Sequence, residues 1–218
     1  MKKTILAAAT LLTIATACKE KTTETTTITK TDTTTVVKDE TPTEAAAAPM
    51  SKEDMEKAWM AYMTPGEPHK ELAKEVGMWT TETTMWWTPD GPPEKSTGTA
   101  DIKMGYGGRY QIGTHKGMVM KQPFEGTSTV AFNNASKKYE STWVDNMGTG
   151  VMFMTGDYDA ATKTVNFSGK CTDPMTGKEK ATRETWVIVD DNTRKMEMFD
   201  TDANGKEFKT MEMTMKRK

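Results

Sequence analysis

Histidine is almost missing from this chain: His69 and His115 are the two in 218 residues. That scarcity leaves few members for any His-based mechanism. No Gly-x-Ser-x-Gly, His-Glu-x-x-His or phosphate-loop pattern occurs either. Cysteine is equally sparse, with Cys18 and Cys171 alone. An even count allows one disulfide in an oxidising compartment, but the setting of Cys18 points elsewhere. Charge of one sign is nowhere concentrated: 29 basic and 31 acidic residues are interleaved, for a net charge of -2. That excludes the basic footprint of a nucleic-acid binder.

The first residues are an address. Lys2 and Lys3, an apolar stretch from Ile5 to Ile14, and Ala15-Thr16-Ala17 ahead of Cys18 form a secretory signal peptide over residues 1–17. It is shorter than the roughly 20 apolar residues of a membrane span. Small residues ending at a cysteine resemble the bacterial lipobox, although its usual Leu is Ala15 here. Lipidation at Cys18, with acyl chains buried at about 0.8 kcal/mol per CH₂, would tether the protein to a membrane of the cell envelope. Residues 18–50 are mostly Thr, Lys, Glu, Asp and Ala. They hold too little apolar surface to offset the entropy of ordering, and read as a disordered tether.

Residues 51–76 carry two short helices. Ser51-Lys52-Glu53-Asp54 is a capping-box-like start, and Met55, Trp59 and Met63 then share a face. Pro65 ends that helix. Pro68 suits the first turn of a second, with Leu72 and Val76 on one face and Gly77 as terminator. His69 reads as an exposed residue of this helix.

From Trp79 the period changes to two. Trp79, Thr81, Thr83, Met85 and Trp87 share one parity, and strand patterns follow to Lys216 between turns such as Pro89-Asp90-Gly91-Pro92-Pro93. Short strands at regular spacing, joined by hairpins, predict an all-β antiparallel meander over residues 77–217. Closing it as an up-and-down barrel of about ten strands removes exposed edges and leaves room for a ligand. Pro123 is expected to separate Met118–Met120 from Phe124–Phe132 as an edge or bulge. Asp200-x-Asp202-x-Asn204-Gly205 imitates a calcium loop, but its twelfth position is Met211, so it reads as a hairpin turn.

Several stretches resemble a bacterial family known only as domain of unknown function 1579. They are Tyr106-Gly107-Gly108-Arg109-Tyr110, Pro123-Phe124-Glu125-Gly126, Lys138-Tyr139-Glu140-Ser141-Thr142-Trp143 and Asp202-Ala203-Asn204-Gly205-Lys206-Glu207. These are turn and strand residues, so the resemblance implies a fold and no chemistry. The fold it implies is a lipocalin-like (calycin) barrel, in which a Gly-x-Trp opens the first strand, here Gly77-Met78-Trp79. It also implies a basic residue of the last strand over that Trp, for which Arg217 or Lys216 is placed.

Methionine is the excess, at 19 of 218. Met118/Met120, Met152/Met154, Met196/Met198 and Met211/Met213/Met215 lie two apart, and so on one face of their strands. Flexible thioethers suit a barrel lining; they also suit Cu(I). With Trp79 setting the parity, Thr81, Met85, Tyr139, Trp143, Met196, Met198 and Met213 point inward, while the parity of the Arg109 and Met152 strands stays open. His115, near a turn, is expected on the surface. Asp101, Asp145, Glu184 and Glu212 lie within strands, where carboxylates mostly face water.

The sequence therefore predicts a non-enzymatic envelope lipoprotein whose barrel binds a small apolar or amphipathic ligand, without metal or cofactor. The ligand-lining candidates are Trp79, Met85, Tyr139, Trp143, Met196, Met198 and Met213. A packed barrel serving as an interaction module is the alternative, and copper or haem handling through Met and His a further one.

Overall fold

A computed structural model describes residues 50–202 and 204–218. The signal peptide, Cys18 and nearly all of the tether lie outside the described residues. Helix α1 (Lys52–Met63) is capped as its sequence predicts, with the Ser51 hydroxyl accepting from the Asp54 amide at 3.1 Å. It buries none of its side chains. Its C-terminal end is held by Asn134, whose side-chain amide donates to the carbonyls of Ala61, Tyr62 and Thr64. Helix α2 (Glu67–Ala73) begins with Pro68 in its first turn and buries Leu72. It ends before Gly77, which belongs to the first strand.

His69 is buried rather than exposed. Its Nδ1 accepts from the Gly66 amide at 3.0 Å, and its ring meets Phe132 edge-on. Desolvation lowers its pKa. A satisfied imidazole at a helix start therefore occupies a place where sequence position alone suggested solvent.

Ten strands follow. They are β1 (Gly77–Met85), β2 (Glu94–Gly105), β3 (Tyr110–Val119), β4 (Gln122–Asn133), β5 (Lys138–Asp145), β6 (Met152–Asp159), β7 (Thr164–Thr172), β8 (Glu179–Asp190), β9 (Thr193–Thr201) and β10 (Glu207–Arg217). Every strand pairs antiparallel with its chain neighbour, and β1 pairs with β10 to close the barrel. Among the described residues, no strand edge remains for intermolecular pairing. Met118 is not part of a separate strand: it continues β3 and pairs with Pro123 at the start of β4. Met120 and Lys121 form the two-residue connection, both at positive φ, as right-twisted hairpins demand.

Gly77 sits at φ 136°, and a Cβ there would come within 2.9 Å of the Arg217 guanidinium. Glycine at this position lets the last strand's arginine close over the first. The Asp202 turn between β9 and β10 is a hairpin, its carboxylate accepting from the amides of Asn204 and Lys206.

Candidate functional site

One end of the barrel is sealed. Trp79 is fully buried, packed with Ala100, Ile102 and Met215. Its indole N–H donates to the Glu75 carbonyl at 2.8 Å. The Arg217 guanidinium lies 4.3 Å from the ring centroid and that of Arg194 5.4 Å. Cation–π contacts of this kind contribute about 1–2 kcal/mol when desolvated. Arg217 also donates to the carbonyls of Lys74 and Val76, tying the last strand to the end of α2.

Glu75 organises the seal from within. Its carboxylate accepts from Arg194 Nε at 2.5 Å, from Trp186 Nε1 at 3.1 Å and from Gln111 Nε2 at 3.0 Å. Gln111 donates as well to the Leu72 carbonyl. Three strands thereby grip one side chain just beyond α2, and every partner satisfies a group that would otherwise be buried alone.

Above this floor the barrel holds a cavity of about 1050 Å³. Met85, Met196, Met198, Met211 and Met213 line one wall, where Met85 pairs with Met211, Met211 with Met198 and Met213 with Met196. The opposite wall is aromatic: Phe124, Tyr139 and Trp143 border the same space. Phe124 stacks on Trp143 with ring centroids 6.1 Å apart. Gly126 makes room for that indole, since a Cβ there would stand 2.4 Å from Trp143 Cζ2.

Of the sequence-predicted lining residues, Met85, Tyr139, Trp143, Met196, Met198 and Met213 border the cavity. Trp79 does not, because it is consumed by the seal. Met152 and Met154 face inward, Met152 onto the cavity and Met154 into the packed core beside Leu72. Met118 and Met120 border the cavity only at its rim. Both are exposed: Met118 is on the outward parity of β3, whose inward row runs through Gln111, Gly113 and His115, and Met120 is in the turn that follows.

Two titratable groups correct the expectation of solvated positions. His115 faces the lumen, its Nε2 3.2 Å from Ser128 Oγ and its ring edge-on to Trp143 at 5.1 Å. Burial lowers its pKa to about 4. Glu184 also faces the lumen, and burial raises its pKa to about 7 with no hydrogen bond or opposing charge to hold it down. Asp145 borders the cavity too, but it accepts from Trp143 Nε1 and from the amides of Met147 and Gly148. Asp101 and Glu212 do point outward, paired with Lys103 and Lys209.

The register relates His115 to Glu184. From Glu184, cross-strand partners run through Met198, Met211, Met85 and Glu94 in one direction. In the other they run through Phe167, Gly156, Tyr139 and Phe132. Continued onto β3, the first path arrives at Lys121 and the second at Arg109. That offset is the stagger of a tilted closed sheet, so the point of β3 level with Glu184 lies midway, at His115. Strands β3 and β8 are five steps apart either way round the ring. His115 and Glu184 therefore face each other across the lumen at one height.

Cys171 lies on β7, four strands from His115, and burial raises its thiol pKa. Among the described residues, no group of three or more His, Cys, Asp or Glu is arranged to hold a metal ion.

A closed ten-stranded antiparallel barrel with a helical seal and an open lumen defines the lipocalin-like class. Within it, the chain belongs to the family described as "Protein of unknown function (DUF1579)", whose profile matches residues 64–217. No curated protein matches the chain. Among solved structures it is similar to Rv2717c from M. tuberculosis, with a TM-score of 0.54, 12% identity, and coverage of 71% of this chain and 99% of that one. It is similar also to the S-type phycobiliprotein lyase CPES from Guillardia theta, with a TM-score of 0.50, 11% identity, and coverage of 73% and 96%. At such identities the likeness is one of fold.

Proposed function

We propose that this protein is a non-enzymatic binder of a small apolar or amphipathic molecule, held in the envelope by a lipid on Cys18. The cavity of about 1050 Å³ walled by thioethers and aromatic rings carries the reading. Protein interiors rarely leave space larger than a water unfilled, and pockets of this size suit ligands of several rings or a long chain. The alternative of a packed interaction module lacks the interdigitated core it requires. Adaptable methionine walls favour a ligand class of loose shape over one rigid compound. Trp87, Met118, Met120, Met147 and Met175 are exposed at the mouth, a greasy rim suited to loading from a lipid surface.

Titration with N-phenyl-1-naphthylamine, a neutral probe that fluoresces in apolar surroundings, tests the binding claim. One probe per protein is expected, with binding lost when Met198→Trp and Met213→Trp together fill the lumen. No enhancement, or enhancement untouched by the double variant, would count against it.

A further inference from the structure

The lumen has a polar axis in an otherwise apolar space, and its span selects a ligand chemistry. Ten strands about 4.8 Å apart and tilted about 40° enclose a ring about 20 Å across between backbones. Histidine and glutamate side chains each reach inward about 4.5 Å, which leaves about 11 Å between their polar tips. Hydrogen bonds of about 2.8 Å at each end then place two ligand oxygens roughly 5 Å apart. That is the separation across a single six-membered ring.

The charged groups sharing the inward rows nearest Glu184 are engaged, and Lys195 of β9 is exposed on the outside. Glu75 is paired with Arg194, and Lys180 on the same strand with Asp200. Glu184 has Phe167 and Met198 as cross-strand partners, which offer a carboxyl nothing stronger than a weak sulfur acceptor. His115 has Ser128 beside it and no charge opposing it. A carboxyl left without a partner in an apolar space invites an acceptor from the ligand.

We propose, resting on the lumen being a binding site, that the ligand is a neutral ring compound of the 1,4-diketone (quinone) class. Its two oxygens bridge Glu184 on one wall and the His115–Ser128 pair on the other. The protonated Glu184 carboxyl donates to one carbonyl and the His115–Ser128 pair to the other. The ring crosses the lumen between the methionine and aromatic walls, and apolar substituents run toward the mouth.

The test compares duroquinone with durene, which has the same four methyl groups and no oxygen. Every ring carbon of duroquinone is substituted, so the Cys171 thiol has no open position to add to. Binding is read from methionine ¹³C-methyl NMR shifts of the whole chain. Two neutral hydrogen bonds should favour duroquinone by roughly tenfold or more. Glu184→Leu and His115→Phe should each cut the ratio of duroquinone to durene affinity severalfold. Glu184→Gln, which keeps an N–H donor, should retain most of it. Equal affinity for the two probes, or a preference that survives both apolar variants, overturns the proposal while leaving the binding lumen intact. Binding of neither probe overturns both.

Discussion

Glu75 and Arg194 form an ion pair inside the floor of the barrel, Oε1 to Nε 2.5 Å, with both side chains nearly sealed from water. Their positions are 119 residues apart in the chain. The pair joins the segment after α2 to β9, on which Trp79, Trp186 and Gln111 also converge. It fixes where the seal sits, and so where the lumen ends.

Removing one member leaves the other charged and buried. Glu75→Ala should cost about 3–5 kcal/mol of unfolding free energy, measured by urea denaturation. A loss below 1 kcal/mol would show that α2 is not anchored there.

The two lumen groups act on stability with opposite sign. Glu184 has a folded pKa raised to about 7. The unfolded chain therefore loses its proton first, and stability falls as pH rises from about 4.3 to 7, by roughly 3–4 kcal/mol in all. His115 has a folded pKa lowered to about 4. Its unfolded form takes a proton first, so stability falls as pH drops from about 6.5 to 4, by a similar amount. Across the shared window the two slopes cancel. Glu184→Leu should lose stability relative to wild type as pH falls through that window, and His115→Phe should gain. Difference curves that stay flat for both variants would contradict the placement of these side chains.

Much of this was legible in the sequence, and the exceptions share a cause. The change of period at Trp79 follows from local pattern. So do the stripes of β9 and β10, where neighbouring inward positions carry methionine. The Gly77-x-Trp79 opening and a basic cover by Arg217 or Lys216 follow instead from the family resemblance; the structure puts Arg217 there. The parity of β3 was hidden because its inward row alternates Gln111, Gly113, His115 and Gly117, with glycines giving no hydropathy signal. Gln111 is polar yet buried because Glu75 and the Leu72 carbonyl take its amide from 36 and 39 residues away. No window shows such a pairing. Glu184 is legible from its row: Thr182, Trp186 and Ile188 share its parity, and an apolar row carries its carboxyl inward with it.

Gly126 offers a local test of the aromatic wall. Gly126→Ala should push the Trp143 indole from its place and cost about 1–3 kcal/mol through overpacking. Thermal unfolding and the indole N–H resonance of Trp143 would read the two effects. An unchanged resonance would mean that the ring does not occupy that niche.

Cys18 carries the localisation reading. Full-length protein expressed in a bacterial host should partition with membranes, and Cys18→Ser should release it to the soluble envelope fraction. Intact mass should differ by a diacylglyceryl and acyl modification. A soluble wild-type chain cleaved after Ala17 with a free thiol would overturn lipidation without touching the barrel.

Native mass spectrometry of the purified protein, before and after incubation with envelope lipid extract, addresses the central claim most directly. The account predicts a single stoichiometric adduct of several hundred daltons, lost when Met198→Trp and Met213→Trp occupy the lumen. Bare protein under both conditions, or an adduct indifferent to those substitutions, would contradict it.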